Sequence, residues 1–181
     1  MIRGRLSLAL TAALLFLSAS SLKGQASHAA EGPGSYIAVG AVASGFQADY
    51  GRQRLGGVGV FIDANFYRRV GIEAEYRSLS FHSTQSLSES SILVGPRVST
   101  HGRDLRPYAK LLVGRGHLSY PYNYAQGSYF AIAPGAGLDW RIGGGPVSIR
   151  VIDFEYQLWP QFTFGTLHPY GISTGVSLRI F

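Results

Sequence analysis

His117, Leu118 and Ser119 place an imidazole and a hydroxyl two positions apart. On an extended strand that spacing puts both on one face, and a histidine able to take a serine proton is the minimum for acyl transfer. Glu73 and Glu75 repeat the spacing with carboxylates, about 7 Å apart on a strand, a separation that an acid and base pair could use. Arg77 and Arg97 share their face by alternation, so a salt-bridge network is the competing and favoured use of these glutamates. Gly57-Val58-Gly59 and Gly135-Ala136-Gly137 lack the third glycine and the following helix of a dinucleotide cradle, and read as strand glycines. His82, His117 and His168 stand at separate strand ends, a poor arrangement for a metal. Without any cysteine, disulfides, thiolate zinc sites and cysteine nucleophiles are excluded. Neither a metal nor a cofactor is expected.

The elements that would carry these residues are strands. Val58, Val60, Ile62 and Ala64 alternate with Gly57, Gly59, Phe61, Asp63 and Asn65, a period of two. Ile72, Ala74 and Tyr76 oppose Gly71, Glu73, Glu75 and Arg77, and the rule returns at 91–99, 129–142 and 171–180. Residues 108–118 alternate too, although Arg115 and His117 fall on the apolar side. In 147–158 the parity slips, which a bulge near Val151 would reconcile. Tyr36 to Ala43 is strand-like with indistinguishable faces.

The connections at 67–69, 100–106 and 143–146 are short; those at about 45–54, 82–90, 119–128 and 160–168 are longer. That alternation predicts an all-β, eight-stranded antiparallel up-and-down barrel with one tight end and one loopy end. Upstream, Arg3 and Arg5, the apolar run Leu6 to Leu17 and small residues before Ala26 or Ala29 follow the plan of a cleaved secretory signal peptide over 1–26. Residues 27–34 form a short N-terminal segment and 35–181 the barrel domain. Cleavage removes Arg3, Arg5 and Lys23, leaving 13 basic and 10 acidic residues, so the formal +6 falls to +3. Half of the apparent basicity thus belongs to export, and nucleic acid is not expected as a partner.

The faces decide the compartment. Charged residues make up only 14% of the chain against about 25% for soluble domains. The polar face carries Asp63, Glu73, Glu75, Asp139, Asp153 and Glu155 against Arg77, Arg97, Lys110, Arg141, Arg150 and Arg179, six acids and six bases. Inside a narrow barrel such balance is required, because an unpartnered buried charge is very costly. The same face bears most of the strand glycines, which leave room for long charged side chains. The opposite face holds residues that lipid tolerates, with Phe66, Tyr67 and Trp140 at the tight end and Phe81, Tyr120, Tyr122, Trp159 and Phe162 at the loopy end as interfacial girdles. The expected fold is therefore a transmembrane barrel.

The signal peptide, the GVGVFIDANFY and VGIEAEYRSLSF hairpin, GPRV, PYAKLLVG, PGAGLDWRI and a terminal phenylalanine resemble the small outer-membrane β-barrel family of OmpA/OmpX-type transmembrane domains. The likeness covers about residues 30–181 and lies in the ordered pattern more than in one motif. It implies a monomer in the bacterial outer membrane, in contact with membrane lipids and lipopolysaccharide. It also implies that Phe181 acts as the signal for the barrel-assembly machinery, although the apolar parity runs through Leu178 and Ile180. With no residue after Phe181, the peptidoglycan-binding domain of some relatives is expected to be absent. The family reading makes the chain a non-catalytic barrel with a plugged lumen and loops, including the serine-rich 83–91, that serve envelope integrity or adhesion. Two alternatives stand beside it. His117 and Ser119 resemble the His-x-Ser of outer-membrane lipid A deacylases, but the orienting acid those enzymes need is missing from Tyr129 to Ala133; Arg115 and His117 meeting lipopolysaccharide phosphates is the competing use. The other alternative is a narrow ion channel.

Overall fold

The computed structural model describes residues 35–47, 49, 54–67, 69–80, 88–100, 104–119, 126–162 and 165–180. The predicted signal peptide, the 27–34 segment, Phe181, and Phe81, Tyr120 and Tyr122 of the predicted girdle lie outside them. Among the described residues ten strands follow in chain order: β1 (Tyr36–Gln47), β2 (Arg54–Tyr67), β3 (Val70–Ser80), β4 (Ser88–Ser99), β5 (Leu105–Ser119), β6 (Gln126–Arg141), β7 (Val147–Tyr156), β8 (Trp159–Phe162), β9 (Gly165–Leu167) and β10 (Tyr170–Arg179). Eight of them close a barrel in the order β1-β10-β7-β6-β5-β4-β3-β2. Chain neighbours are wall neighbours throughout, apart from the β8–β9 hairpin, and every barrel pair is antiparallel.

The predicted loop at 160–168 is largely strand. Tyr156 pairs with Tyr170, the Gln157 N–H donates to the Pro169 carbonyl at 2.7 Å, and Trp159 pairs with Leu167, so β8 and β9 prolong the β7–β10 hairpin. Pro160 and Pro169 thin its ladder, because proline has no N–H to give. The bulge expected near Val151 is present. Leu138 pairs with Ile152 and Asp139 with Arg150, so Val151 is the extra residue and both Val151 and Ile152 point outward while Arg150 and Asp153 point inward.

The alternation runs opposite to that of a soluble barrel. Val58, Val60, Ile62, Ile72, Ile92, Val94, Ile172 and Val176 are exposed on the outer wall, Val58 to 67%, whereas Asp63, Glu73, Glu75, Arg77, Arg97, Lys110, Arg150, Asp153 and Glu155 are buried inside. An apolar belt around the whole circumference far exceeds the patches that water-soluble monomers expose, and a closed ladder leaves no edge to be solvated. Phe66, Tyr67 and Trp140 are exposed at the tight end, as interfacial aromatics would be. Between β4 and β5 the approach is so close that a Cβ on Gly95 or Gly114 would run into the carbonyl of Leu111 or Ile92 opposite. β1 now has distinct faces: Ala38, Val42, Ser44 and Phe46 are buried inside, and Ile37 is exposed outside.

Candidate functional site

The lower and middle lumen is one connected set of ion pairs, assembled from six strands, β2 to β7. Lys110 on β5 extends its ammonium into a ring of carboxylates, 2.6 Å from Asp153, 2.9 Å from Glu73, 3.1 Å from Glu75 and 3.4 Å from Glu155. Arg150 donates to Glu73 at 2.7 Å and reaches Asp153 at 3.3 Å and Asp139 at 3.4 Å. Arg97 grips Asp63 and Asp139 and lies 3.6 Å from Glu73, while Arg77 pairs with Glu75 and, at 2.9 Å, with Glu155. Each buried carboxylate in this set faces at least one cation, the condition under which buried charge is tolerated. Glu73, Glu75 and Asp153 bring oxygens within 4.8 Å of one another, close enough for a metal, but the Lys110 ammonium reaches all three and already takes the place of a cation.

Alternation does not reveal what the arginines lie on. The Arg150 guanidinium sits 3.6 Å over the Phe61 ring, Arg97 3.9 Å over Tyr108 and Arg77 4.2 Å over Phe46. These inward aromatics wall the network and add cation–π attraction to buried guanidinium groups.

Two of the predicted network bases lie elsewhere. Arg141 donates from Nε to the Gly145 carbonyl at 2.9 Å in the β6–β7 turn, and Arg179 stacks 4.3 Å over Tyr36 at the tight end. Both face inward, but at the mouth, because they are the last residues of their strands. Conversely, Glu89 and Arg106 belong to the inner face and were read as loop and turn. Glu89 is buried, paired in register with Leu79 and Leu118, and neither of its carboxylate oxygens has a hydrogen-bond partner among the described residues. Arg106 pairs in register with Asp139.

Above the ion pairs the lumen turns apolar. Phe46, Leu55, Leu79, Leu93, Leu112, Leu118, Leu167 and Trp159 form a buried cluster toward the loopy end. Trp159 is a correction: expected in an outer girdle, it is wholly buried inside. It continues the inward parity of Asp153, Glu155 and Gln157 along the prolonged β7 strand. Its indole N–H donates to Gln157 Oε1 at 2.8 Å, Gln157 Nε2 donates to Glu155 Oε1 at 2.7 Å, and Glu155 is held by Arg77, so the cap is tied to the charges beneath. A Cβ on Gly116 would enter the Trp159 ring, and Tyr129 stacks on it at 6.2 Å.

His117 and Ser119 lie on the outer side of β5. His117 Nδ1 is 3.1 Å from Ser128 Oγ on β6, its register partner, and Ser119 pairs in register with Ser88 and Gln126. Arg115, one rung nearer the apolar belt, lies between Ile92 and Phe130. His168 contacts the Tyr156 hydroxyl at 2.9 Å, and His82 lies outside the described residues.

A wall that is apolar outside and ion-paired inside decides the architecture. The fold is that of the small outer-membrane β-barrels. The crystal structure of Neisserial surface protein A superposes with a TM-score of 0.65 at 12% identity, covering 82% of this chain and 99% of that one. The N-terminal β-barrel domain of Pseudomonas aeruginosa OprF gives 0.53 at 17% identity, with 81% and 99% covered. Ail, the attachment invasion locus protein of Yersinia pestis, in complex with the heparin analogue sucrose octasulfate, gives 0.51 at 17% identity, with 80% and 97% covered. No protein-family model and no curated protein matches the sequence. At such identities the likeness is one of barrel architecture, preserved by strand number, closure and inside-out alternation.

Proposed function

We propose that the protein is a non-catalytic, monomeric barrel of the bacterial outer membrane, exported through its signal peptide, with a sealed lumen and loops that serve envelope integrity or adhesion. The observation that carries this reading is the filled interior: the Lys110 and Arg150 ion pairs occupy the middle of the barrel and the Trp159 cluster lies across its loopy end. Such an interior supports a wall that presents loops, with the short turns in the periplasm and the long connections outside. Arg115 and His117, on the outer side of β5, would meet lipopolysaccharide phosphates, and Phe181 would serve as the signal for the barrel-assembly machinery.

The test is conductance of the refolded protein in planar bilayers. Silent bilayers agree with the sealed lumen; discrete steps would replace this reading by the channel. The His117–Ser128 hydrogen bond engages the imidazole with a neutral hydroxyl and supports the non-catalytic reading over the deacylase. Mass spectrometry of lipid A after gene deletion should show an unchanged acylation profile. A change reversed by the wild type but not by Ser119→Ala would establish the enzyme instead.

A further inference from the structure

The outer wall of β3 to β6 changes character toward the loopy end. Ser78 on β3 pairs in register with Ser90 on β4, Ser90 with His117 on β5, and His117 with Ser128 on β6, so four outward polar side chains form one row across four strands. One rung closer to the loops, Ser80, Ser88 and Ser119 repeat the row across three. Strands lie about 4.8 Å apart and like-facing residues about 7 Å apart along each, so the two rows make a plate about 14 Å wide. All seven side chains are exposed or half-buried. Apart from the His117–Ser128 contact at 3.1 Å, they make no side-chain hydrogen bond among the described residues. The plate is also local: on β2 the first row meets Val58 and the second Gly56, and on β1 these face Ala43 and Gly45.

Beneath the plate, Arg115 points outward between Ile92 and Phe130, which are 64% and 43% exposed. Apart from Arg54, the first residue of β2, Arg115 is the one charged side chain with outward parity in the described barrel strands. It has neither an ion pair nor a side-chain hydrogen bond among the described residues. A cation on the lipid face of a barrel is costly unless it reaches headgroups or meets an anion. No acid shares the outer face of these strands, so an anion for Arg115 comes from outside the chain.

From the belt toward the loops, this wall offers apolar side chains, then one guanidinium, then hydroxyls and an imidazole. A lipid whose acyl chains lead to a phosphate and to sugar hydroxyls matches that order: the fork of Arg115 suits the phosphate, and serine hydroxyls both donate to and accept from a sugar. We infer that Arg115 and the plate form a docking site for a phosphorylated glycolipid of the surrounding leaflet, with Arg115 on a phosphate and the serine rows and His117 on the sugar. The inference rests on the membrane placement proposed above and confines the lipopolysaccharide contact to one face of the barrel; the sealed lumen plays no part in it. A phospholipid would engage Arg115 and leave the rows empty.

The experiment uses the full mature chain, refolded in a nonionic detergent and titrated separately with diphosphorylated lipid A, with lipid A stripped of its phosphates and with phosphatidylglycerol, the bound lipid being counted by native mass spectrometry. A charge-assisted contact is worth about tenfold or more in affinity, so the wild type should hold diphosphorylated lipid A at least about tenfold more tightly than the stripped form, and Arg115→Gln should erase that difference. Ser78→Ala/Ser90→Ala/Ser119→Ala should weaken lipid A binding by about tenfold and leave phosphatidylglycerol binding unchanged. Heat-modifiable gel migration confirms that each variant is folded. Lipid A bound no more tightly than phosphatidylglycerol by the wild type overturns the site, as does lipid A binding that either folded variant retains in full. Bilayer conductance decides the sealed lumen separately, so a failure of that reading and a failure of this site are distinguishable.

Discussion

Replacing Lys110 by methionine removes one charge and little volume. The ammonium lies within 3.4 Å of Asp153, Glu73, Glu75 and Glu155, yet none of the four loses its last cation: Arg150 remains on Glu73 and Asp153, and Arg77 on Glu75 and Glu155. The loss is therefore that of one broken buried ion pair, about 3–5 kcal/mol, and not four times that amount. With a urea dependence of about 2 kcal/mol per molar, the unfolding midpoint should fall by about 2 M. The assay is the fluorescence of the two tryptophans during reversible urea unfolding in lipid vesicles. A second substitution tests the cause. Asp153→Asn removes a carboxylate that wild-type Lys110 holds at 2.6 Å, so alone it should destabilise. In the Lys110→Met background it relieves the crowding of Glu73, Glu75 and Asp153, and its amide can donate to the other two, so there it should restore about 1–2 kcal/mol. The same substitution should change sign between backgrounds. Destabilisation by Asp153→Asn in both, or a Lys110→Met loss under about 1 kcal/mol, would refute this account of the lumen.

Trp159→Ala should cost about 3–5 kcal/mol, yet planar bilayers should stay silent because the ion-pair layer still fills the lumen below it; conductance would make Trp159 the sole seal. Gly116→Ala drives a methyl group into the Trp159 ring and should lower stability by about 1–3 kcal/mol with a red shift in tryptophan emission. Arg150→Lys keeps the charge but loses the stacking 3.6 Å over Phe61 and the paired contacts to Glu73, and should cost about 2 kcal/mol in the same urea assay; a neutral outcome would reduce Arg150 to a point charge. Val60→Arg, at an outward position in mid-strand, should cost about 2–4 kcal/mol in vesicles, whereas on a water-facing surface it would be nearly neutral.

The face of a strand residue could be read from alternation, and the height at which it sits could not. That is why the charged set from Asp63 to Glu155 was legible while Leu55, Leu79, Leu112 and Leu118, inward residues nearer the loopy end, formed an unforeseen second layer. Height depends on register between strands, which a single chain pattern does not contain. Strand ends were the other weakness. Glu89 fell in a segment read as loop, though Ser88 already begins β4, and Arg106 in a segment read as turn, though β5 begins at Leu105. For Trp159 a signal was available: the period of two through Asp153, Glu155 and Gln157 points to it, one residue past the segment 147–158 read as strand. The faces of β1 could not be separated, because small and apolar residues occupy both and only the partners β2 and β10 distinguish them.

The pairing of β1 with β10 makes this barrel a structure that cannot be built in instalments. Their register, from Ala38 with Arg179 to Gln47 with Tyr170, joins residues more than a hundred positions apart, while every other barrel seam can zip between neighbouring segments. Until that last seam forms, two long rows of backbone donors and acceptors have no partner, which the hydrocarbon interior of a bilayer does not permit. The chain must therefore keep its first strand waiting, shielded from both water-driven aggregation and lipid, until its last strand arrives. Its slow step is then the meeting of its two ends, which anything that holds the open edge would hasten.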